Sequence, residues 1–186
     1  MISLVKWSVE DYHQMIKSGI LANRHVELIE GDIIEMGPEG PLHASRIRRG
    51  ANYLRDILVN LALVSEAHPI TLANSEPEPD IAIVRLPESR YDASHPQAED
   101  IFWLIEIADV TLSKDLNEKK RIYAAAGINE YWVMNLKANL LTVLRQPINN
   151  DYSVRMELNA GTISPLAFPQ IKVLVTVVLE FGSISM

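Results

Sequence analysis

The segment Ile101-Phe-Trp-Leu-Ile-Glu-Ile107 constrains the fold more than any other stretch of the chain. It is short, bulky and almost wholly apolar, the pattern of a strand covered on both faces of a sheet. Its single charge, Glu106, is the anomaly. An ionised carboxylate taken out of water without a partner is costly, so such a residue is paired, protonated or bound to metal. Strand alternation sets Glu106 on one face and Ile105 and Ile107 on the other. An edge or surface glutamate satisfies the same pattern, and the residues alone leave both readings open.

A buried strand needs neighbours, and the flanking sequence supplies them. Ser8 followed by Asp11 resembles a capping box and predicts a first helix. Val26 to Met36 alternates apolar and acidic residues around Gly31, which predicts two short strands. The breaker Gly37-Pro-Glu-Gly-Pro41 precedes a predicted long helix over Leu42 to Asn60, with Ile47, Ala51, Leu54 and Leu58 as its apolar stripe. Ile70 to Ala73 and Asp80 to Val84 read as strands, Pro87 to Asp100 as an exposed loop. Asp115 with Glu118 reads as a second helix start, with Asp115 as the cap, and Gly127 as its stop. Glu130 to Leu136, Leu140 to Arg145, Tyr152 to Leu158 and the tail Ile171 to Leu179 read as strands. The whole, residues 1–186, reads as one mixed α/β domain, its central sheet mostly antiparallel and flanked by helices.

Composition narrows the chemistry. The chain has no cysteine, which removes disulfides and thiolate zinc sites. None of its five histidines is placed four residues from another, so a site built from oxygen ligands is the open option. Met1 to Glu10 lacks a secretory pattern, and the apolar run Val173 to Leu179 is far shorter than the roughly 20 residues that span a bilayer. These features predict a cytoplasmic protein with no membrane contact. The net charge of −7 counts against a general DNA-coating protein, yet a cluster of catalytic acids is itself acidic.

Asp80 opens an apolar strand, where an aspartate ending a turn is the ordinary explanation. Lys119 falls three residues after Leu116 and four before Tyr123, a placement shared by solvated lysines and by lysines that meet a carboxylate. Glu27 is one acid among several in its alternating segment. His43 stands at the entrance to the long helix. Arg46, Arg48, Arg49 and Arg55 make that helix the most basic stretch of the chain and the candidate phosphate-facing surface, with Arg48 and Arg55 foremost.

The spacing of Glu27-Leu-Ile-Glu-Gly31, His43, Pro79-Asp80, Leu104-Ile-Glu-Ile107, Asp115, Lys119, Tyr123 and Ala126-Gly-Ile-Asn-Glu-Tyr-Trp-Val133 resembles the Uma-two family, a branch of the PD-(D/E)XK nuclease superfamily. The resemblance covers nearly the whole chain and implies a restriction-endonuclease-like fold. It implies that Asp80 and Glu106 are the motif acids, holding Mg2+ or Mn2+ with the Ile107 carbonyl as a further ligand, and that Glu27 is an additional acid. The superfamily lysine would fall at position 108, which is Ala108 here, so the resemblance assigns its role to Lys119. Ala108-Asp-Val-Thr-Leu-Ser113 replaces a more serine-rich turn, and Asn135 stands where an aspartate is usual. Two functions follow as expectations. One is a metal-dependent endonuclease acting on DNA, with His43, Arg48 and Arg55 near the substrate and a homodimer to cut both strands. The other is a binding or assembly module that keeps the fold without the chemistry.

Overall fold

Ser8 begins the first helix as its spacing predicts. Its hydroxyl accepts from the Asp11 N–H at 3.0 Å while the Asp11 carboxylate accepts from the Ser8 N–H at 3.0 Å, and α1 runs Val9–Lys17. The structure is a computed structural model and describes residues 4–179. Next, β1 (Val26–Ile29) and β2 (Asp32–Glu35) pair antiparallel. Gly31 is required in their turn: its φ is +79°, and a Cβ there would lie 2.8 Å from the Lys6 Cβ and 3.0 Å from the Trp7 carbonyl.

The helix α2 (Pro41–Ile57) starts with a proline where a missing N–H costs nothing. Its inward residues are Ile47, Ala51, Leu54 and, just past its end, Leu58, all buried. A sheet of six strands follows in spatial order: β3 (Leu63–Glu66), β4 (Ile81–Val84), β5 (Ile101–Ala108), β6 (Glu130–Asn135), β7 (Leu140–Ile148) and β8 (Asp151–Leu158). Every neighbouring pair is antiparallel except β5 and β6, which are parallel. Parallel neighbours need a crossover. Here it consists of α3 (Leu112–Lys114), one π-helical turn (Asp115–Lys119) and α4 (Lys120–Ala125). The described residues end with β9 (Thr162–Ile163), β10 (Val173–Leu174) and α5 (Val175–Leu179).

Alternation along the sheet separates two apolar layers. Ile81, Ile83, Trp103, Ile105, Ile107, Trp132 and Met134 pack under α2 and α5. Ala82, Leu104, Ala108, Tyr131 and Val133 pack under the crossover with Ile122, Tyr123 and Ala124. Glu106 therefore belongs to the crossover face, as the alternation of β5 predicts, and it is buried there rather than solvated.

Four expectations differ from what is observed. The tail is not one strand: only Val173 and Leu174 pair, and the β-branched residues after them turn into α5, packed on the core through Val175 and Val178. Ile70 to Ala73 forms no strand, only a single bridge from Thr71 to Gln97. The long helix stops at Ile57, and Asn60, at φ +60°, turns the chain into the unpredicted β3. Asp115 does not cap the crossover helix. That place is held by Thr111, and Asp115 lies one turn further in, buried.

Candidate active site

The end of the β4–β5 ladder creates the site. The last registered pair on this side is Ile81 with Ile105, so Asp80 is carried to the level of Glu106. Beyond that pair β5 has no strand partner on its β4 side, and the Ile107 N–H donates instead to Asp80 Oδ2 at 2.6 Å. The next carbonyl, Ala108, accepts from Leu136 on the opposite, β6 side. Successive peptide groups of a strand alternate in direction, so the Ile107 carbonyl is turned toward Asp80.

Glu106 is met from the crossover. Lys119 Nζ donates to Glu106 Oε1 at 2.8 Å and to the Glu78 carbonyl at 3.2 Å, and the Tyr123 hydroxyl donates to the same Oε1 at 2.9 Å. Lys119 and Tyr123 are four residues apart and share the inward face, as predicted. Lys120 does not compete, because its ammonium pairs with Asp151 at 2.7 Å.

Electrostatics follow from the crowding. Burial is the largest influence on Glu106 and pushes its carboxyl above the usual range; Lys119 opposes this, and the nearby Asp80 and Asp115 add to it. Burial likewise raises Asp115, against Lys119 and the Thr111 hydroxyl, which donates to Asp115 Oδ2 at 2.6 Å. For Lys119 burial disfavours the charge, but Glu106, Glu27, Asp80 and Asp115 together outweigh it, so the ammonium persists. Tyr123 is raised well above its ordinary value by burial and then by Glu106, and remains a donor.

His43, in the first turn of α2, closes the opposite side. Its Nε2 lies 3.2 Å from Asp80 Oδ2 and its Nδ1 3.1 Å from Glu39 Oε1. Both ring nitrogens can donate only in the imidazolium form. The bond to Asp80 is the main reason its pKa is pushed up to about 9, with burial working against it.

Glu27 is fully buried on β1. Its Oε2 accepts from the Glu78 N–H at 3.3 Å, and its Oε1 is bound by Lys114. The chain of contacts thus runs from Lys114 to Glu27, through the Glu78 peptide to Lys119, and on to Glu106. The basic face of α2 is not brought to this cluster. Arg55 is twelve residues along from His43, about 18 Å by helix rise, and binds Glu66 at 2.9 Å. Arg46 turns toward the Leu179 carbonyl, while Arg48 and Arg49 are exposed.

Two features escape the sequence reading. The backbone of Glu78 is invisible to it, since any residue but proline supplies the same N–H and carbonyl. Lys114 is five residues before Lys119, well round a regular α-helix, and only the i to i+5 geometry of the π-turn brings the two to one side.

Two carboxylates at a ladder's end with a buried lysine beside them define an acidic, oxygen-lined centre on a mixed sheet. The Uma2 family model, described as "putative restriction endonuclease", matches residues 9–177, and the chain belongs to this family. No curated protein matches. A solved structure, titled a "putative nuclease" of DUF820 from Anabaena variabilis ATCC 29413, aligns with a TM-score of 0.65 over 84% of this chain and 90% of that one. At 14% identity this is a likeness of fold. Among the described residues no helix is long and apolar enough to cross a membrane.

Proposed function

We propose that the protein is a metal-dependent endonuclease that hydrolyses DNA phosphodiester bonds with Mg2+ or Mn2+. The observation that carries this is the distribution of hydrogen bonds on the two motif acids. Both protein contacts of Asp80 fall on Oδ2, and both of Glu106 fall on Oε1. Asp80 Oδ1 and Glu106 Oε2 accept no protein hydrogen bond among the described residues, and the Ile107 carbonyl lies on the Asp80 side of β5.

This donor set fits a hard cation. Among the described residues no three Asp, Glu or His side chains form a ready metal cage. Two carboxylates, one carbonyl and retained water are what magnesium commonly takes. When bound, the ion would polarise the phosphodiester and ease deprotonation of the attacking water. Lys119 would stabilise negative charge developing on the phosphate or orient that water, held in place by Glu106 and the Glu78 carbonyl. Tyr123 keeps Glu106 in the rotamer that presents Oε2. A homodimer would place two such sites on a duplex.

The test is supercoiled-plasmid nicking with Mg2+ or Mn2+, paired with calorimetric metal titration of the wild type and Asp80→Asn. Nicking and metal uptake in the wild type, both lost in a folded Asp80→Asn, support the proposal. Metal uptake unchanged in that variant removes Asp80 from the site. DNA binding without any cleavage in the wild type favours the catalytically silent binding module.

A further inference from the structure

The cluster holds two lysines, and they are differently placed. Lys119 is sealed in: its side chain is 7% exposed, and two of its three N–H groups go to Glu106 and the Glu78 carbonyl. Lys114 stands at the rim, with a side chain 29% exposed. Its one protein acceptor among the described residues is Glu27 Oε1, so two of its three donors remain available. Glu27 itself is 0% exposed, and its other oxygen is held by the Glu78 N–H, the residue whose carbonyl holds Lys119. Glu27 is thus a rigid anchor, and the cation it anchors sits at the partly exposed rim with two donors unpaired among the described residues.

An exposed lysine usually wanders over many rotamers and gains little from any one ion pair. A lysine fixed by a fully buried carboxylate is pre-ordered, and a fixed cation at the rim of an acidic centre is suited to an anionic ligand. The four acids Glu27, Asp80, Glu106 and Asp115 would otherwise repel a phosphate chain. Lys119, buried behind Glu106, cannot cover that repulsion at the surface.

We infer that Lys114 is the substrate-facing cation of this site, contacting a backbone phosphate of the nucleic acid, and that Glu27 is a positioning residue that anchors Lys114 rather than a metal ligand. This rests on the nuclease reading above and adds to it the residue that meets the phosphate. It also accounts for the π-turn, which swings Lys114 to the same side as Lys119.

The experiment is fluorescence anisotropy of a fluorescein-labelled DNA duplex, with chelator present to prevent cleavage, over a series of salt concentrations. Each phosphate contact contributes roughly 0.9 to the slope of log affinity against log salt. Lys114→Arg keeps the parental slope. Lys114→Gln lowers it by about one unit. Because Lys114→Gln leaves Glu27 buried without its cation, the double variant Glu27→Gln/Lys114→Gln is measured as well and gives the same loss in a chain without that stranded charge. Glu27→Gln alone keeps the slope, since the cation remains, but weakens binding as the anchor is gone. A double variant with the parental slope and affinity overturns the assignment of Lys114 while leaving the nuclease reading intact. A wild-type chain that neither cleaves nor binds the duplex overturns both.

Discussion

Replacing His43 by Gln keeps a side chain able to hydrogen-bond Asp80 but removes the charge. The imidazole sits between Asp80 and Glu39, and its pKa is lifted from 6.5 to about 9, first by the bond to Asp80. A group raised on folding contributes stability that is fully present below its unfolded value and is lost as pH rises through its folded value. For His43 the contribution is therefore complete below about pH 6.5 and fades as pH passes about 9. At about 1.36 kcal/mol per pKa unit the shift is worth about 3 kcal/mol. That is an upper figure, because 24% of the side chain remains exposed. The assay is urea unfolding of wild type and His43→Gln at a series of pH values. Titrating groups that do not touch His43 largely cancel in the difference, and the comparison is read from about pH 6.5 upward, where its own titration sets the change. The wild type exceeds the variant most at low pH, and the gap narrows by up to about 3 kcal/mol toward about pH 10. A gap that stays flat, or widens with pH, refutes the imidazolium between two carboxylates.

Two further outcomes follow from the placements of the basic residues. Lys119→Ala should slow cleavage by roughly a hundredfold, about 3 kcal/mol on the barrier, with DNA binding nearly intact. Lys120→Ala should change it little, because that ammonium pairs with Asp151; equal rates in single-turnover assays of the two variants would contradict the geometry. An Arg48→Ala/Arg55→Ala pair tests the basic face of α2. If nucleic acid runs along it, the salt slope of binding falls, by at most about one unit per residue, and parental affinity and slope mark the face as solvated surface.

The site was legible where it obeys local periodicity. Alternation through β5 separates Glu106 from Ile105 and Ile107, and the four-residue step from Lys119 to Tyr123 puts both on the helix face that meets Glu106. What periodicity does not carry is where a ladder ends. Asp80 reads as an ordinary turn residue until the β4–β5 register stops at Ile81 and Ile105, because that register is a tertiary fact. The same limit hid β3, a four-residue edge strand that follows α2 after a short turn, and Asp115, whose spacing to Glu118 mimics a helix start. The tail shows the converse. Val173 to Leu179 is rich in β-branched residues, yet a two-residue pairing and the burial of Val175, Val178 and Leu179 against the sheet decide its helical end.

The π-turn of the crossover is one residue of surplus, and the pairing of its two lysines would outlast the removal of that surplus. Excising Asn117, which is exposed, would let Leu112–Lys114 run into Lys120–Ala125 as uninterrupted α-helix. The helix itself would gain regularity. Lys114 would then stand four residues before Lys119 instead of five, which on a regular α-helix is the same face, so the two lysines would keep the side they share now. The sheet, its two apolar layers and the right to fold would survive. A chain one codon shorter could therefore carry the same two lysines on a plain α-helix, with no core residue exchanged and no acid mutated.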